Sequence, residues 1–161
     1  MKEAGINGFG RFGLHLLKYW LDRNEQSLFS LKYINDDYLD IDNVLEIINN
    51  DSNVIFNKYK IEKSKNGITV LEPNGNKHDI YYTNSPSNAI KWIGKPDIFF
   101  ECSGKNTVSK KCASFINGKT NNVLISATSW DAEKTLVFGF NHEAFEKNDK
   151  IISYGTCTVN A

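Results

Sequence analysis

The distribution of apolar residues over the first fifty positions predicts two strands that alternate with two helices. Residues 4–7 form a short segment bounded by glycines, as in a buried strand. An apolar face at helical spacing follows, made of Phe12, Leu16, Leu17, Trp20 and Leu21. Residues 28–34 are predicted to form a second strand, and a second helix is predicted from Ile41, Val44, Leu45 and Ile48. This alternation indicates an α/β protein with a parallel sheet covered by helices.

The middle of the chain has a different pattern. Apolar residues tend to alternate over about residues 55–83, and the pairs Asn66-Gly67 and Asn74-Gly75 are typical of two-residue hairpin turns. We therefore expect a small antiparallel insertion there. The parallel pattern then resumes, with a helix predicted around residues 108–116. Further strands are predicted at residues 97–102, 123–127, 136–140 and 150–153.

Composition and charge narrow the class of protein. A length of 161 residues suits one domain over residues 1–161, and 19 basic against 19 acidic residues give a net charge of zero. This balance argues against nucleic-acid and anionic-membrane partners. The three cysteines have neither zinc-ligand nor disulfide spacing, so we expect no metal site. No signal peptide or membrane span is recognisable, and we expect a cytoplasmic protein.

A glycine-rich turn follows the first predicted strand directly. Residues 8–13 read Gly-Phe-Gly-Arg-Phe-Gly, which fits G-x-G-x-x-G between a strand and an amphipathic helix. In such a turn Gly8 permits the tight bend, Gly10 lets the backbone approach a diphosphate, and Gly13 lets helix and strand pack closely. The helix N-terminus directs free N–H groups at the phosphates. The sequence thus predicts a Rossmann-type, doubly wound, mainly parallel sheet that binds a dinucleotide.

Asp36 ends the second predicted strand, roughly twenty residues beyond the turn, where a ribose-binding acid is expected. Its carboxylate would accept hydrogen bonds from the adenosine ribose and repel a 2′-phosphate. The repulsion is about 1 kcal/mol at 4 Å in water and about 4 kcal/mol at an effective dielectric constant of about 20. We therefore expect NAD to be preferred over NADP by about tenfold to a thousandfold.

Seven blocks of sequence, in order, resemble one known family. The opening residues 5–13 and the strand end at residues 34–36 are similar to those of glyceraldehyde-3-phosphate dehydrogenases. Four later blocks continue the resemblance: residues 101–104, 125–127, 139–143 and 151–153. Residues 156–160, Thr-Cys-Thr-Val-Asn, resemble the family's active-site motif. The resemblance covers the whole chain and implies that it is the NAD-binding domain of such an enzyme.

The resemblance also implies which residues bind the cofactor. Those expected to line the diphosphate turn are Asn7, Gly8, Gly10, Arg11 and Phe12. Ser103 and Gly104 are expected to flank the adenine and diphosphate region, and Ser126 to approach the nicotinamide. The family also implies a homotetramer for the full-length protein, acting in glycolysis.

Cys157 matches the family's catalytic nucleophile. It follows a predicted strand at a point where a helix can begin, and a helix N-terminus lowers the pKa of a thiol. In the family's reaction the thiolate attacks the aldehyde of glyceraldehyde 3-phosphate and forms a hemithioacetal. Hydride transfer to NAD then leaves a thioester, which inorganic phosphate cleaves to 1,3-bisphosphoglycerate. Thr156 and Thr158 resemble the hydroxyl residues that help to hold this phosphate, whereas Cys102 and Cys112 are predicted to be ordinary buried residues.

The sequence offers no base to partner this cysteine. His15, His78 and His142 do not match the family's catalytic histidine, which lies in a C-terminal catalytic domain together with the phosphate-binding arginines. We expect that domain to follow Ala161. The 161-residue chain alone is therefore expected to bind NAD and to be inactive.

Departures from the family pattern leave alternatives open. Tyr154 replaces a usual asparagine, Gly155 and Thr156 replace Ala-Ser, Asn106 replaces an aromatic residue beside the adenine, and Ala161 replaces a second cysteine. These changes predict a divergent member with altered substrate preference. An erythrose-4-phosphate dehydrogenase is one alternative. A non-catalytic, NAD-responsive binding module is another, from a different functional class.

Overall fold

The computed structural model describes residues 1–155. Its helices are α1 (Arg11–Asp22), α2 (Ile41–Asn50) and the short α3 (Ser109–Cys112). The strands are β1 (Lys2–Asn7), β2 (Phe29–Asp36), β3 (Lys60–Ser64), β4 (Gly67–Leu71), β5 (Lys77–Asn84), β6 (Ile98–Glu101), β7 (Asn122–Ile125), β8 (Lys134–Thr135) and β9 (Ile151–Ser153). In this part of the chain, no helix is long and apolar enough to cross a membrane.

All the strands described belong to one sheet, in the order β3-β4-β5-β2-β1-β6-β7-β9-β8. The pairs from β5 through β2, β1, β6, β7 and β9 to β8 are all parallel. The pairs β3-β4 and β4-β5 are antiparallel. The chain adds β2 on one side of β1 and β6 on the other, so the strand order reverses at β1. The prediction of a Rossmann-type, mainly parallel sheet with an antiparallel insertion is confirmed.

The sheet is covered by apolar clusters on both faces. Phe99 and Phe100 are neighbours in β6, so their side chains point to opposite faces. Phe100 packs in a cluster with α1 and α2, and Phe99 packs in a second cluster with Trp92 and Phe115. Most of the predicted face of α1 is buried or half-buried in the first cluster. Its first apolar residue, Phe12, is an exception and is 48% exposed at the helix N-terminus.

The strand predicted at residues 136–140 is wrong. The strand at this place is β8, which ends at Thr135. After it the chain turns, because Gly139 has a φ of +84° and the side chain of Asn141 accepts a hydrogen bond from the Val137 N–H at 2.7 Å. Two of the apolar residues that suggested a strand, Phe138 and Phe140, are therefore each left 86% exposed, whereas Leu136 is buried.

Two further predictions need correction in their bounds. The helix predicted around residues 108–116 is only the four-residue α3, continued by one 3₁₀ turn at Ala113–Phe115. The first hairpin turn lies one residue earlier than predicted, because Gly67 already pairs with Ser64 as the first residue of β4. A Cβ on Gly67 would come within 2.1 Å of the Ile80 carbonyl oxygen, so the glycine serves strand packing rather than the turn.

Candidate cofactor-binding site

The glycine-rich turn connects the end of β1 to the start of α1 at the carboxyl edge of the sheet. Gly8 has a φ of +93°, and a Cβ there would lie 2.4 Å from the backbone of Ser103. A Cβ on Gly13 would lie 2.3 Å from the Gly8 carbonyl oxygen. Both glycines thus allow backbone segments to touch, as a tight phosphate-binding turn requires.

Gly10 differs from its neighbours because it faces open space. A Cβ on Gly10 would have no heavy atom of residues 1–155 within 4 Å. Gly10 is the N-cap of α1, and no side chain in residues 1–155 caps this helix end. The first helical hydrogen bond runs from Leu14 N–H to the Gly10 carbonyl oxygen at 2.9 Å, so the amides before Leu14 are not used within the helix. An open space next to free helical amides fits a diphosphate.

Asp36 fastens this turn to the end of β2. Its side chain is almost buried, with 7% of the residue exposed. One carboxyl oxygen accepts the Phe9 N–H at 2.7 Å, and the other accepts the N–H groups of Tyr38 and Leu39 at 2.9 and 3.0 Å. A carboxylate has about four acceptor positions, so these bonds leave about one for a ribose hydroxyl. Asp36 therefore shapes the turn in addition to lying where a ribose is expected.

A buried row of polar side chains crosses four adjacent strands just below the turn. We call it the polar row; its members are Thr83, Asn35, Asn7 and Glu101. They lie side by side because the strands pair Thr83 with Asn35, Asn35 with Asn7, and Asn7 with Glu101. The side chain of Asn7 therefore points into this row and not toward the turn. Its amide donates to Glu101 at 2.7 Å.

Glu101 did not emerge as a site residue from the sequence, although a signal was present. It is the one charged residue of a strand that is otherwise apolar, Ile98–Glu101. The residue is 1% exposed and ends β6, next to the point where the strand order reverses. A charge buried at the carboxyl edge of a parallel sheet is unfavourable unless it is well hydrogen-bonded. Such a residue is therefore a candidate for a functional role.

The loop after β6 places Ser103 and Gly104 across from the glycine-rich turn. The Ser103 N–H donates to Glu101 at 2.9 Å, and the Ser103 hydroxyl donates to the same carboxyl oxygen. Gly104 has a φ of +71°, and a Cβ on it would meet no heavy atom of the described part of the chain within 4 Å. Lys105 then reaches across to the loop after β2, where its ammonium lies 2.5 Å from Asp37 and 3.8 Å from the centre of the Tyr38 ring.

The other predicted contacts lie at the same edge with different partners. The Arg11 guanidinium is paired with Asp51 at 2.7 Å and its side chain is 60% exposed. Ser126 follows β7, and its N–H donates to the Glu101 carbonyl oxygen at 3.0 Å. The side-chain amide of Asn106 is hydrogen-bonded within the protein, because it donates to Ser87 and to Glu101. Cys157, Thr156 and Thr158 lie outside the described residues.

One protein family matches this chain by sequence: glyceraldehyde 3-phosphate dehydrogenase, NAD binding domain, over residues 2–109. The chain belongs to this family. The resemblance seen in the motifs is thus confirmed, and NAD is the cofactor.

Relatives with the family's name match nearly the whole chain. Glyceraldehyde-3-phosphate dehydrogenase of Danio rerio is 32% identical and aligns with 99% of this chain. Glyceraldehyde-3-phosphate dehydrogenase 4 of Caenorhabditis elegans is 31% identical over 98% of this chain, and the Glossina morsitans morsitans enzyme is 30% identical over 99%. In each case the match covers 46% of the relative. The chain therefore spans about half the length of the curated relatives it matches.

In this NAD-binding domain the two cysteines within the described residues are poorly suited to nucleophilic chemistry. Burial raises the pKa of the Cys102 thiol to about 12, despite a hydrogen bond with Ser126 that acts in the opposite direction. Burial also raises the pKa of the Cys112 thiol to about 12, and the nearby carboxyls of Glu101 and Asp131 add to the effect. A thiolate is the reactive form, so both residues are expected to be inert near neutral pH.

Proposed function

We propose that residues 1–161 are the NAD-binding domain of a phosphorylating glyceraldehyde-3-phosphate dehydrogenase, with an antiparallel insertion at about residues 55–83. Family membership supports this assignment. We place the catalytic histidine and the substrate-binding arginines in a C-terminal domain, within the half of the relatives that this chain does not match. The same membership supports a cytoplasmic, glycolytic homotetramer as the full-length form.

The observation that carries the cofactor assignment is the open space at Gly10 beside the uncapped start of α1. In this proposal the amides at the start of α1 and the turn at Gly8 hold the diphosphate. Asp36 accepts a hydrogen bond from a hydroxyl of the adenosine ribose, and its negative charge disfavours a 2′-phosphate. The remaining proposed contacts are Arg11, Phe12, Ser103, Gly104 and Ser126. Asn7 is proposed to contribute indirectly, through its hydrogen bond to Glu101 in the polar row.

Cys157 is the proposed nucleophile. Its thiolate forms a carbon–sulfur bond with the aldehyde carbon, and the carbonyl oxygen takes up a proton to give a hemithioacetal. Loss of a hydride and of that proton leaves a thioester. Attack by inorganic phosphate then breaks the carbon–sulfur bond, which releases 1,3-bisphosphoglycerate and restores the thiolate. Thr156 and Thr158 are proposed to hold the attacking phosphate. NAD, when bound, supplies the acceptor for the hydride.

Replacing Gly10 by alanine tests the cofactor site. The new methyl group would occupy the space proposed for the diphosphate, so the affinity for NAD should fall by about tenfold or more. The backbone of Gly10, with φ −77°, suits alanine, so the free energy of unfolding should change by less than about 1 kcal/mol. Isothermal titration of the chain with NAD, together with urea unfolding, measures both quantities.

The matched variant is Gly13→Ala, whose methyl group would collide with the Gly8 carbonyl oxygen. We expect Gly13→Ala to destabilise the fold and Gly10→Ala to affect mainly binding. If the wild-type chain does not bind NAD, or if Gly10→Ala binds it as tightly as the wild type, the proposed cofactor site is wrong.

A further inference from the structure

The side-chain hydrogen bonds that join neighbouring members of the polar row are all donated in the direction of Glu101. The Trp92 indole N–H donates to Thr83 at 3.0 Å, and the Thr83 hydroxyl donates to Asn35 at 2.7 Å. The Asn35 amide then donates to Asn7 at 2.9 Å, and the Asn7 amide donates to Glu101 at 2.7 Å. A carboxylate only accepts hydrogen bonds, so Glu101 fixes the direction of the whole row.

Glu101 also accepts hydrogen bonds from the loop that faces the glycine-rich turn. Its other donors are the N–H and hydroxyl of Ser103 and the amide of Asn106. Together with the bond from Asn7, these make four hydrogen bonds, which fill the acceptor positions of the carboxylate with uncharged donors. A buried carboxylate of this kind gains little stability over a well-packed uncharged side chain, so its presence calls for another explanation.

The contact between Ser103 and Gly8 links Glu101 to the cofactor cleft. Gly8 and the Ser103 backbone lie so close that a Cβ on Gly8 would be 2.4 Å from Ser103. The Ser103 hydroxyl also accepts the Lys105 N–H at 3.1 Å, which winds the loop tightly around Gly104. The position of Ser103 relative to Gly8 therefore depends on its bonds to Glu101, and this position sets the distance between the two loops.

We propose that Glu101 is a positioning residue for the dinucleotide. It holds the Ser103–Gly104 backbone at a fixed distance from the Gly8–Gly10 turn, and so sets the width of the opening that receives the diphosphate. This inference rests on the proposed function, because it assigns Glu101 a part in that same site.

Replacing Glu101 by glutamine tests the proposal with little change in shape. Glutamine keeps one accepting oxygen but presents an NH₂ group to two of the four donors, so either Ser103 or the Asn7 and Asn106 amides lose their partner. We expect the Kd for NAD and for ADP-ribose to rise by about tenfold or more. Adenosine lacks the diphosphate, and its Kd should change by less than about twofold. The amide NMR signals of Ser103 and Gly104 should shift even without ligand.

The other end of the polar row supplies a matched control. Thr83→Val is close in shape, removes the bonds to Trp92 and Asn35, and lies three strands away from Glu101, with β2 and β1 between them. We expect it to lower the free energy of unfolding and to leave the Kd for NAD within about twofold of the wild type.

Three outcomes would overturn the positioning role. In the first, E101Q binds NAD as the wild type does and the Ser103 and Gly104 signals do not move. In the second, Thr83→Val weakens NAD binding as much as E101Q, which would indicate a general loss of stability. If E101Q does not fold, Ser103→Ala removes one of the two bonds from the loop, and unchanged NAD affinity in that variant would be the third. A wild-type chain that binds neither NAD nor ADP-ribose would overturn the proposed function itself.

Discussion

Cys102 and Cys112 illustrate how the surroundings of a side chain decide its chemistry. Both are thiols within about ten residues of the proposed cofactor loop, yet burial raises the pKa of each to about 12. At pH 8 only about one thiol in ten thousand would be ionised at such a pKa. Reactivity should therefore appear only as the pH rises toward 12, far above the range in which a catalytic cysteine works.

Alkylation with iodoacetamide at pH 7.5 tests this difference between the cysteines. In the folded chain we expect neither Cys102 nor Cys112 to be modified, and we expect any adduct to be on Cys157. Mass spectrometry of tryptic peptides locates the adducts, and the urea-unfolded chain, in which all three should react, is the control. Modification of Cys102 as fast as in the unfolded chain would contradict the prediction. Equally slow labelling of all three folded cysteines would favour a binding module over an enzyme.

At the residue scale the sequence predicts a side chain well when a local motif defines its surroundings. Gly8 and Gly13 are where their motif requires glycine, and Asp36 ends its strand as expected. Glu101 was missed because its partners come from distant parts of the sequence, including Asn7, which is 94 positions away. Strand register brings these residues together, and no local pattern reports it.

Asp22, the last residue of α1, connects this helix to the antiparallel insertion. Its carboxyl oxygens lie 2.5 Å from the Lys18 ammonium and 3.0 Å from that of Lys58, and one accepts the Tyr59 hydroxyl at 2.6 Å. Burial alone would raise the pKa of Asp22, but the hydrogen bonds from Lys18, Tyr59 and Lys58 outweigh it and hold the pKa far below 3.8. Ionised Asp22 therefore stabilises the folded state.

Replacing Asp22 by asparagine should make the stability of the chain less sensitive to acid. The folded-state pKa is lowered, so the stabilisation is complete above the ordinary value of 3.8 and is lost as the pH falls toward the folded value. We expect D22N to be less stable than the wild type by about 1 kcal/mol at pH 7, with the gap closing below about pH 4. Urea unfolding at several pH values measures it.

Asp42→Asn is the control for this comparison. Asp42 also pairs with a lysine, Lys63 at 2.7 Å, but its side chain is 72% exposed. An exposed pair contributes little to stability, so D42N should follow the wild-type pH profile. A D22N profile parallel to that of the wild type down to pH 2 would contradict the proposed link between α1 and the insertion.

At the element scale, periodicity in the sequence predicts the strands and the helices packed on them better than the segments that connect them. The pattern of α1 and of the antiparallel insertion agrees with the structure because each buries one continuous face. The segment at residues 136–140 has the apolar content of a strand, yet Gly139 and the side-chain bonds of Asn141 turn the chain away. Short-range hydrogen bonds of this kind override hydrophobic pattern, which explains the error.

The described part of the molecule has an apolar groove on the face of the sheet near β6, β7 and β9. The groove has a volume of about 380 Å³ and is lined mainly by apolar side chains, among them Ile98, Leu124, Leu136 and Phe138. Phe138 is strongly exposed at its rim. An exposed apolar surface of this kind binds amphiphilic dyes.

We expect the folded chain to enhance the fluorescence of the dye ANS, and Phe138→Ser to reduce the enhancement by about half while NAD binding stays unchanged. The comparison variant is Ile55→Ser, which removes an exposed apolar residue that does not line this groove. Dye titration at constant protein concentration measures the effect. Equal losses in both variants would show that the dye does not report on the groove.

The register of the parallel strands has a consequence for how this protein can diverge. The residues at positions 7, 35, 83 and 101 share one set of hydrogen bonds, so each limits which side chains the others can be. An isolated exchange of acid for amide leaves two donors facing each other, whereas a reciprocal exchange between neighbouring strands restores the match. Substitutions at these four sites should therefore accumulate in pairs during evolution, although the sites are scattered over nearly a hundred positions of the chain.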